Sequence, residues 1–273
     1  MKKPLTKTSP IGIFDSGIGG LTVAKAVMDA LPNEDIIYFG DSARVPYGIK
    51  SQETVRNYSN QIARFLIQKG VKMIIIACNT ASAAANDSVQ HAAGKVPVLN
   101  MIDAGTYGAI RSGKKAIGVI GTLATIGSGA YEKSLKQADS SLIVKSKACP
   151  LLVPLAEEGW IDNEVALKTL DIYLNTFKSN GVEALILGCT HYPLFKTVIQ
   201  DYFNGKKLDI IDSAEAVAAS AKSKLELKQL LNNSDQPGVL NCYVSDRPQR
   251  FYELAERFLG RKPENVFVES LKD

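Results

Sequence analysis

Two cysteines in this chain stand where a thiol can work as an acid or a base. Cys78 follows the apolar run Ile74-Ile75-Ile76-Ala77 and precedes Asn79-Thr80-Ala-Ser-Ala-Ala-Ala, a helix-forming stretch with its N-cap expected at Asn79 or Thr80. A thiol at a helix N-terminus feels the positive end of the dipole, which favours the thiolate. Cys189 is set in the same way after Leu185-Ile186-Leu187-Gly188, and Thr190-His191-Tyr192-Pro193 follows it. Taken singly, each is equally a small buried hydrophobe at a strand end. Packing alone gives no reason to repeat a thiol in two matching settings, and one of the chain's two histidines lies beside the second. Two thiols facing one carbon from opposite sides would serve stereoinversion, one taking a proton and the other returning one. The carbanion-like transition state would need fixed polar donors, and Ser16, Asn79, Thr80, Thr122 and Thr190 are distributed for that purpose. Asp15 and His191 are placed to tune the thiols toward the working pH.

The remaining reactive residues are plainer. Cys149 and Cys242 lack the repeated setting and are read as filler or surface thiols, and His91 as a helix-surface residue. The four cysteines lie far apart with no CxxC pair, which argues against a zinc cage and, in a reducing compartment, against disulfides. The loop Asp15-Ser-Gly-Ile-Gly-Gly20 opens a helix near Leu21-Thr22, and its glycines would let backbone N–H groups approach an anion. It lacks the Gly-Lys-Ser/Thr of a P-loop and is not GxGxxG. Asp15 would repel an anion beside it, so pairing with a substrate ammonium suits it better.

Strands and helices must position these residues. Ile11–Phe14, Ile36–Phe39, Met73–Ala77, Val98–Ile102, Ile117–Gly121, Ala184–Gly188 and Leu208–Ile211 read as buried strands of a mostly parallel sheet. Val55, Tyr58, Ile62, Phe65 and Leu66 share one face of a helix that begins near Ser51, as Ala166, Leu170, Tyr173, Leu174 and Phe177 do in another. Three matches keep their order at similar spacing: Ile11–Ser16 with Ile117–Thr122, the stretch before Cys78 with that before Cys189, and Met101-Ile-Asp103 with Ile210-Ile-Asp212. The expected fold is α/β, with two similar doubly wound, mostly parallel-sheet domains and the active site in the crevice between them. Residues 1–102 with 212–273 would form the first domain, on the Cys78 side, and 103–211 the second, on the Cys189 side. The segment from Val239 through the helix Arg247–Leu259 has no repeat counterpart and is expected to complete the first domain.

Bulk properties exclude other classes. With 273 residues, 45% hydrophobic and 22% charged, the chain is of globular type. A net charge of +4, with lysines paired only at places such as Lys2-Lys3, Lys114-Lys115 and Lys206-Lys207, makes no nucleic-acid face. No apolar run is long enough to span a bilayer, and no apolar h-region follows the basic N-terminus, so a cytoplasmic location is expected. A homodimer is the base expectation for a soluble enzyme.

Six segments carry a resemblance: Gly12-Ile-Phe-Asp15-Ser16-Gly-Ile-Gly-Gly-Leu-Thr-Val, Tyr38-Phe-Gly-Asp41-Ser-Ala-Arg-Val-Pro-Tyr47-Gly48, Ala77-Cys78-Asn79-Thr80-Ala-Ser, Gly121-Thr122-Leu-Ala-Thr125, Pro154-Leu-Ala-Glu157-Glu, and Gly188-Cys189-Thr190-His191-Tyr-Pro-Leu. In order and spacing they resemble the motif series of bacterial glutamate racemases, from residue 11 to about 260. The resemblance implies that Cys78 and Cys189 are the proton donor/acceptor pair. Asp15 would assist the first thiol, and His191 with Glu157 the second. Asp15, Ser16, Tyr47, Gly48, Asn79, Thr80, Thr122, Thr190 and His191 would bind glutamate, and Asp41 matches an acidic position of open role. The family uses no pyridoxal phosphate, metal or nucleotide and supplies D-glutamate for peptidoglycan synthesis. With about ten residues before the first motif, no dependence on a cell-wall precursor is expected.

Other readings are separable. An aspartate racemase, hydantoin racemase or maleate isomerase would share the two thiols. A Cys–His hydrolase would leave Cys78 without a role, and a two-lobed binding module would survive loss of both thiols.

Overall fold

The continuous Ile and Val runs become inner strands of two sheets whose pairings are all parallel. The computed structural model describes residues 5–203 and 208–271, so the pairs Lys2-Lys3 and Lys206-Lys207 lie outside the described residues. The chain begins β1 (Ile11–Asp15), α1 (Leu21–Ala30), β2 (Ile36–Gly40), α2 (Gln52–Gln68), β3 (Met73–Ile76), α3 (Asn79–Ala93), β4 (Val98–Asn100) and α4 (Met101–Ser112). It continues through β5 (Ala116–Gly121), α5 (Leu123–Gly127), α6 (Ala130–Ala138), β6 (Ile143–Ala148), α7 (Leu152–Glu158), α8 (Glu164–Ser179) and β7 (Ala184–Gly188). The last part holds α9 (Lys196–Tyr202), β8 (Asp209–Ile211), α10 (Ser213–Leu227), β9 (Leu240–Val244), α11 (Pro248–Leu259) and β10 (Asn265–Val268). Among the described residues no helix is long and apolar enough to cross a membrane.

Each sheet is the centre of a lobe. The first runs β10-β9-β2-β1-β3-β4 and the second β6-β5-β7-β8. The second order repeats the β2-β1-β3-β4 part of the first, so β3 and β7, the strands before Cys78 and Cys189, hold equivalent places. Every residue of β1, β2, β3 and β7 is buried, as expected of parallel strands covered on both faces. The third sequence match shifts. Met101 and Ile102 belong to α4 rather than to a strand, and Asn100, not Asp103, is the counterpart of Asp212. Each of these two side chains accepts a backbone N–H in the following helix and caps it.

The helices after β4 and β8 change sides. Ile102 and Ala109 of α4 join a core with Val119, Ile186 and Tyr131 of the second lobe. Val217, Ala218, Ala221 and Leu225 of α10 pack with Ile13, Leu21 and Val27 of the first. β9 pairs with β2, which brings the C-terminal segment back to the first sheet. Under that lobe, Lys72 and Glu34 form a buried ion pair with Nζ and Oε2 2.5 Å apart. Lys72 also donates to the carbonyl of Leu230, and Glu34 Oε1 accepts from the N–H of Asn232.

Candidate active site

Cys78 ends β3 in extended conformation, and its own sulfur accepts from the Ala81 N–H at 3.4 Å. The helix cap is thus the thiol itself, not Asn79 or Thr80. The expected lowering of its pKa does not occur. Burial, reinforced by the charge of Asp15, pushes the Cys78 thiol up to about 12, against the opposing hydrogen bonds from Ala81 and Ser16. Burial pushes Cys189 up as well, and the charges of Cys78, Asp15 and Glu157 add to it while the His191 backbone N–H opposes. The charge of Cys78 thus reaches Cys189 across the site.

His191 lies between Cys189 and a carboxylate. Its Nδ1 is 3.9 Å from Cys189 Sγ, and its Nε2 is 3.2 Å from Glu157 Oε1. That hydrogen bond holds the Glu157 carboxyl below its ordinary range despite partial burial. Asp15 is fully buried, next to the cavity-wall residue Ser16 and not itself on the wall. Its Oδ2 accepts from the Gly17 N–H at 3.0 Å, whereas Oδ1 has no hydrogen-bond partner. Burial raises its pKa, with His191 and the surrounding N–H groups acting against that shift.

The glycines after Asp15 have a different use from the anion cradle expected of them. A Cβ on Gly19 would stand 2.4 Å from both His191 Nδ1 and Thr190 Oγ1, and one on Gly20 would stand 2.4 Å from Asp15 Cβ. Gly19 thus permits the first lobe's loop to press against the second lobe, and Gly20 lets the same loop fold over Asp15 within the first. Thr22 Oγ1 adds a hydrogen bond to the Thr190 carbonyl across the same seam.

Asp41 acquires a role. Fully buried, it accepts from Arg44 Nε, Ser245 Oγ and the Tyr47 hydroxyl, and so fixes the loop that carries Tyr47 and Gly48. Gly48 in turn lies where a Cβ would meet Thr122 at 2.8 Å. Thr80, Thr122 and Thr125 form a triangle of hydroxyls with 3.0 Å sides. Tyr131 donates to Asn79 Oδ1 at 2.7 Å from the opposite lobe. Neither Thr125 nor Tyr131 was among the sequence candidates. The spacing of Thr125 from the helix-capping Thr122 was its one legible signal, and Tyr131 had none.

These pieces enclose a cavity of about 150 Å³. Ser16, Tyr47, Gly48, Cys78, Asn79, Thr80, Thr122, Glu157, Cys189, Thr190 and His191 all lie on its wall. A cavity of that size admits one small molecule, since benzene occupies an engineered cavity of about 150 Å³. Cys149 and Cys242 are buried elsewhere in the two cores, filler rather than surface thiols, and His91 is exposed on α3. Among the described residues no group of three or more His, Cys, Asp or Glu side chains is arranged to hold a metal ion.

A family model of Asp/Glu/hydantoin racemases matches residues 21–221, and the chain belongs to that family. Several similar proteins are named glutamate racemases. A glutamate racemase of Chlorobaculum tepidum is 49% identical over 263 residues, covering 96% of both chains. The crystal structure of a Francisella tularensis glutamate racemase in complex with D-glutamate superposes with a TM-score of 0.92 at 41% identity, covering 97% of this chain and 99% of that one. A Thermus thermophilus glutamate racemase in complex with β-chloro-D-alanine gives 0.88 at 44% identity, covering 97% and 98%.

Proposed function

We propose that this protein racemises L- and D-glutamate without a cofactor, using Cys78 and Cys189 as opposed acid/bases. The observation that carries the reading is the presence of both thiols on the wall of one small cavity, at the ends of topologically equivalent strands. One thiolate removes the α-proton, and the opposite thiol delivers another to the far face of the carbon. Burial helps here, because a thiolate whose conjugate acid has a raised pKa is a stronger base toward a weakly acidic C–H. The charge that develops on the α-carboxylate would meet the donors of Ser16, Asn79, Thr80, Thr122 and Thr190. Asp15 would act on Cys78, and the Glu157–His191 pair on Cys189. Tyr47 and Gly48 would close the wall over the substrate.

The product would be D-glutamate for peptidoglycan synthesis, made in the cytoplasm by a homodimer. The lobes are proposed to divide at 102 and 212. The test is incubation with D-glutamate in D2O with nothing added, following optical rotation and deuterium at Cα. Rotation lost with deuterium gained, and both abolished in Cys78→Ala and Cys189→Ala, is the expected result. No exchange with either enantiomer of glutamate would move the substrate to aspartate or a hydantoin, and full activity in either variant would sink the mechanism.

A further inference from the structure

The helix α11 reaches from the first lobe to the residue pair beside Cys189. Arg250, Arg257 and Phe258 are spaced i, i+7 and i+8 along it and share one face. All three touch the pair. Phe258 meets the His191 ring edge-on, with centroids 5.1 Å apart. Arg250 Nη2 is 3.9 Å from Glu157 Oε2. Arg257 Nη1 donates to the backbone carbonyl of Glu157 and, at 3.4 Å, to that of Ala156. These carbonyls belong to the last turn of α7, where the Gly159 N–H reaches the Ala156 carbonyl at 3.2 Å and the Glu157 carbonyl is left for Arg257. Gly159 follows with φ 77, and a Cβ there would stand 2.8 Å from the Arg257 guanidinium.

We propose that Arg257 is a positioning residue that caps α7 from the opposite lobe and so holds Glu157 against His191. The inference rests on the reading of Cys189 as one of the two acid/bases. A cation at a helix C-terminus opposes the negative end of the dipole, and a planar fork of donors can serve two carbonyls together. Arg257 lies outside the cavity wall, so it acts on the chemistry only through Glu157. Without it the carboxylate drifts from Nε2, the imidazole loses the partner that orients it toward Cys189, and Cys189 spends less time as thiolate.

The experiment compares wild type with Arg257→Ala, Arg257→Lys and the control Arg261→Ala, whose side chain pairs with Glu264 on the surface. Two quantities are measured: kcat and KM for each glutamate enantiomer, and the iodoacetamide alkylation rate of each cysteine by peptide mass spectrometry. Arg257→Ala is expected to lower kcat about tenfold with KM little changed, the loss that a small misplacement produces. It should slow alkylation at Cys189 and leave Cys78 at the wild-type rate, and Arg257→Lys should recover part of both losses. Faster alkylation of both thiols would show that Arg257 merely holds the lobes shut and would overturn the inference, as would no change at Cys189. Should Arg257→Ala fail to fold, Arg257→Lys, which keeps the cation but loses the fork, supports the same comparison. Failure of the two-thiol reading is recognised separately, by Cys189→Ala retaining full racemisation.

Discussion

The hydroxyl oxygens of Thr80 and Thr122 lie 3.0 Å apart, and they come from different lobes. Thr80 belongs to the first turn of α3, directly after Cys78, and Thr122 caps α5 after β5. A bond of this kind contributes about 1 kcal/mol, enough to bias the lobes toward one spacing without locking it. Thr122→Val keeps the shape and deletes the hydroxyl. The expected result is a severalfold higher KM for glutamate, a smaller fall in kcat and a Tm lowered by a few degrees, because the α5 cap is lost with the hydroxyl. An unchanged KM in steady-state assays would remove Thr122 from the substrate wall.

Mirror-image substrates have equal free energy, so kcat/KM must be the same in both directions for any variant. Cys189→Ser should therefore lower kcat/KM for D- and L-glutamate by the same factor, on the order of 100 or more, as expected when a positioned acid/base is replaced by a much weaker one. The individual kcat and KM values are free to diverge. Full progress curves from each enantiomer check this, and a variant with near wild-type kcat/KM would exclude the thiol as an acid/base.

Asp15 couples function to stability. Burial raises its folded-state pKa, so between the ordinary aspartate value and the raised one the folded chain holds a proton that the unfolded chain has lost. Stability falls as pH rises through that window, and the ionised carboxylate is destabilising at neutrality. Asp15→Asn should raise Tm at pH 7, the gain shrinking as pH falls from the raised value toward about 4, while kcat/KM falls. Melting curves across pH decide the matter, and a lower Tm for the variant at pH 7 would contradict it.

Gly19→Ala puts a methyl group 2.4 Å from both His191 and Thr190, a distance that real Cβ atoms do not show. The loop or the imidazole must move, and a displacement near 1 Å costs catalysis about a hundredfold. Gly127→Ala, in α5 with nothing within 4 Å, is the control and should be neutral or slightly stabilising. Equal activity in the two variants would show that the loop yields without consequence.

Lys72→Met strands Glu34 in the core and should cost about 3–5 kcal/mol in urea unfolding. Adding Glu34→Gln should recover much of that loss. Neither residue lines the cavity, so kcat at low temperature is expected to stay near wild type.

Much of this was legible in the residues, and what was not has physical reasons. The inner strands announced themselves because both faces are buried and the sequence is continuously apolar, as in Met73–Ile76. β6, Ile143–Ala148, was missed because an edge strand facing solvent alternates lysine with small residues and resembles a loop. β10 lies at the other sheet's edge, and its Val266-Phe267-Val268 is too short an apolar run to read as a buried strand. The thiols were findable because a repeat of a strand-end cysteine is rare. The height of their pKa values was not, because it depends on desolvation by residues distant in the chain. That Asp15 is fully buried was not legible either, since sequence cannot tell a residue that lines a cavity from one behind it.

The crossing of α4 and α10 has a consequence for how this chain can be divided. Each lobe covers part of its sheet with a helix that follows the other lobe's last repeated strand. Cut into linear halves after α4, the first fragment would lack the α10 cover over Ile13, Leu21 and Val27, and the second the α4 cover over Val119 and Ile186. The halves are structural look-alikes but not autonomous folding units, and an ancestral single repeat could have buried such a core only by trading that helix with a second copy of itself.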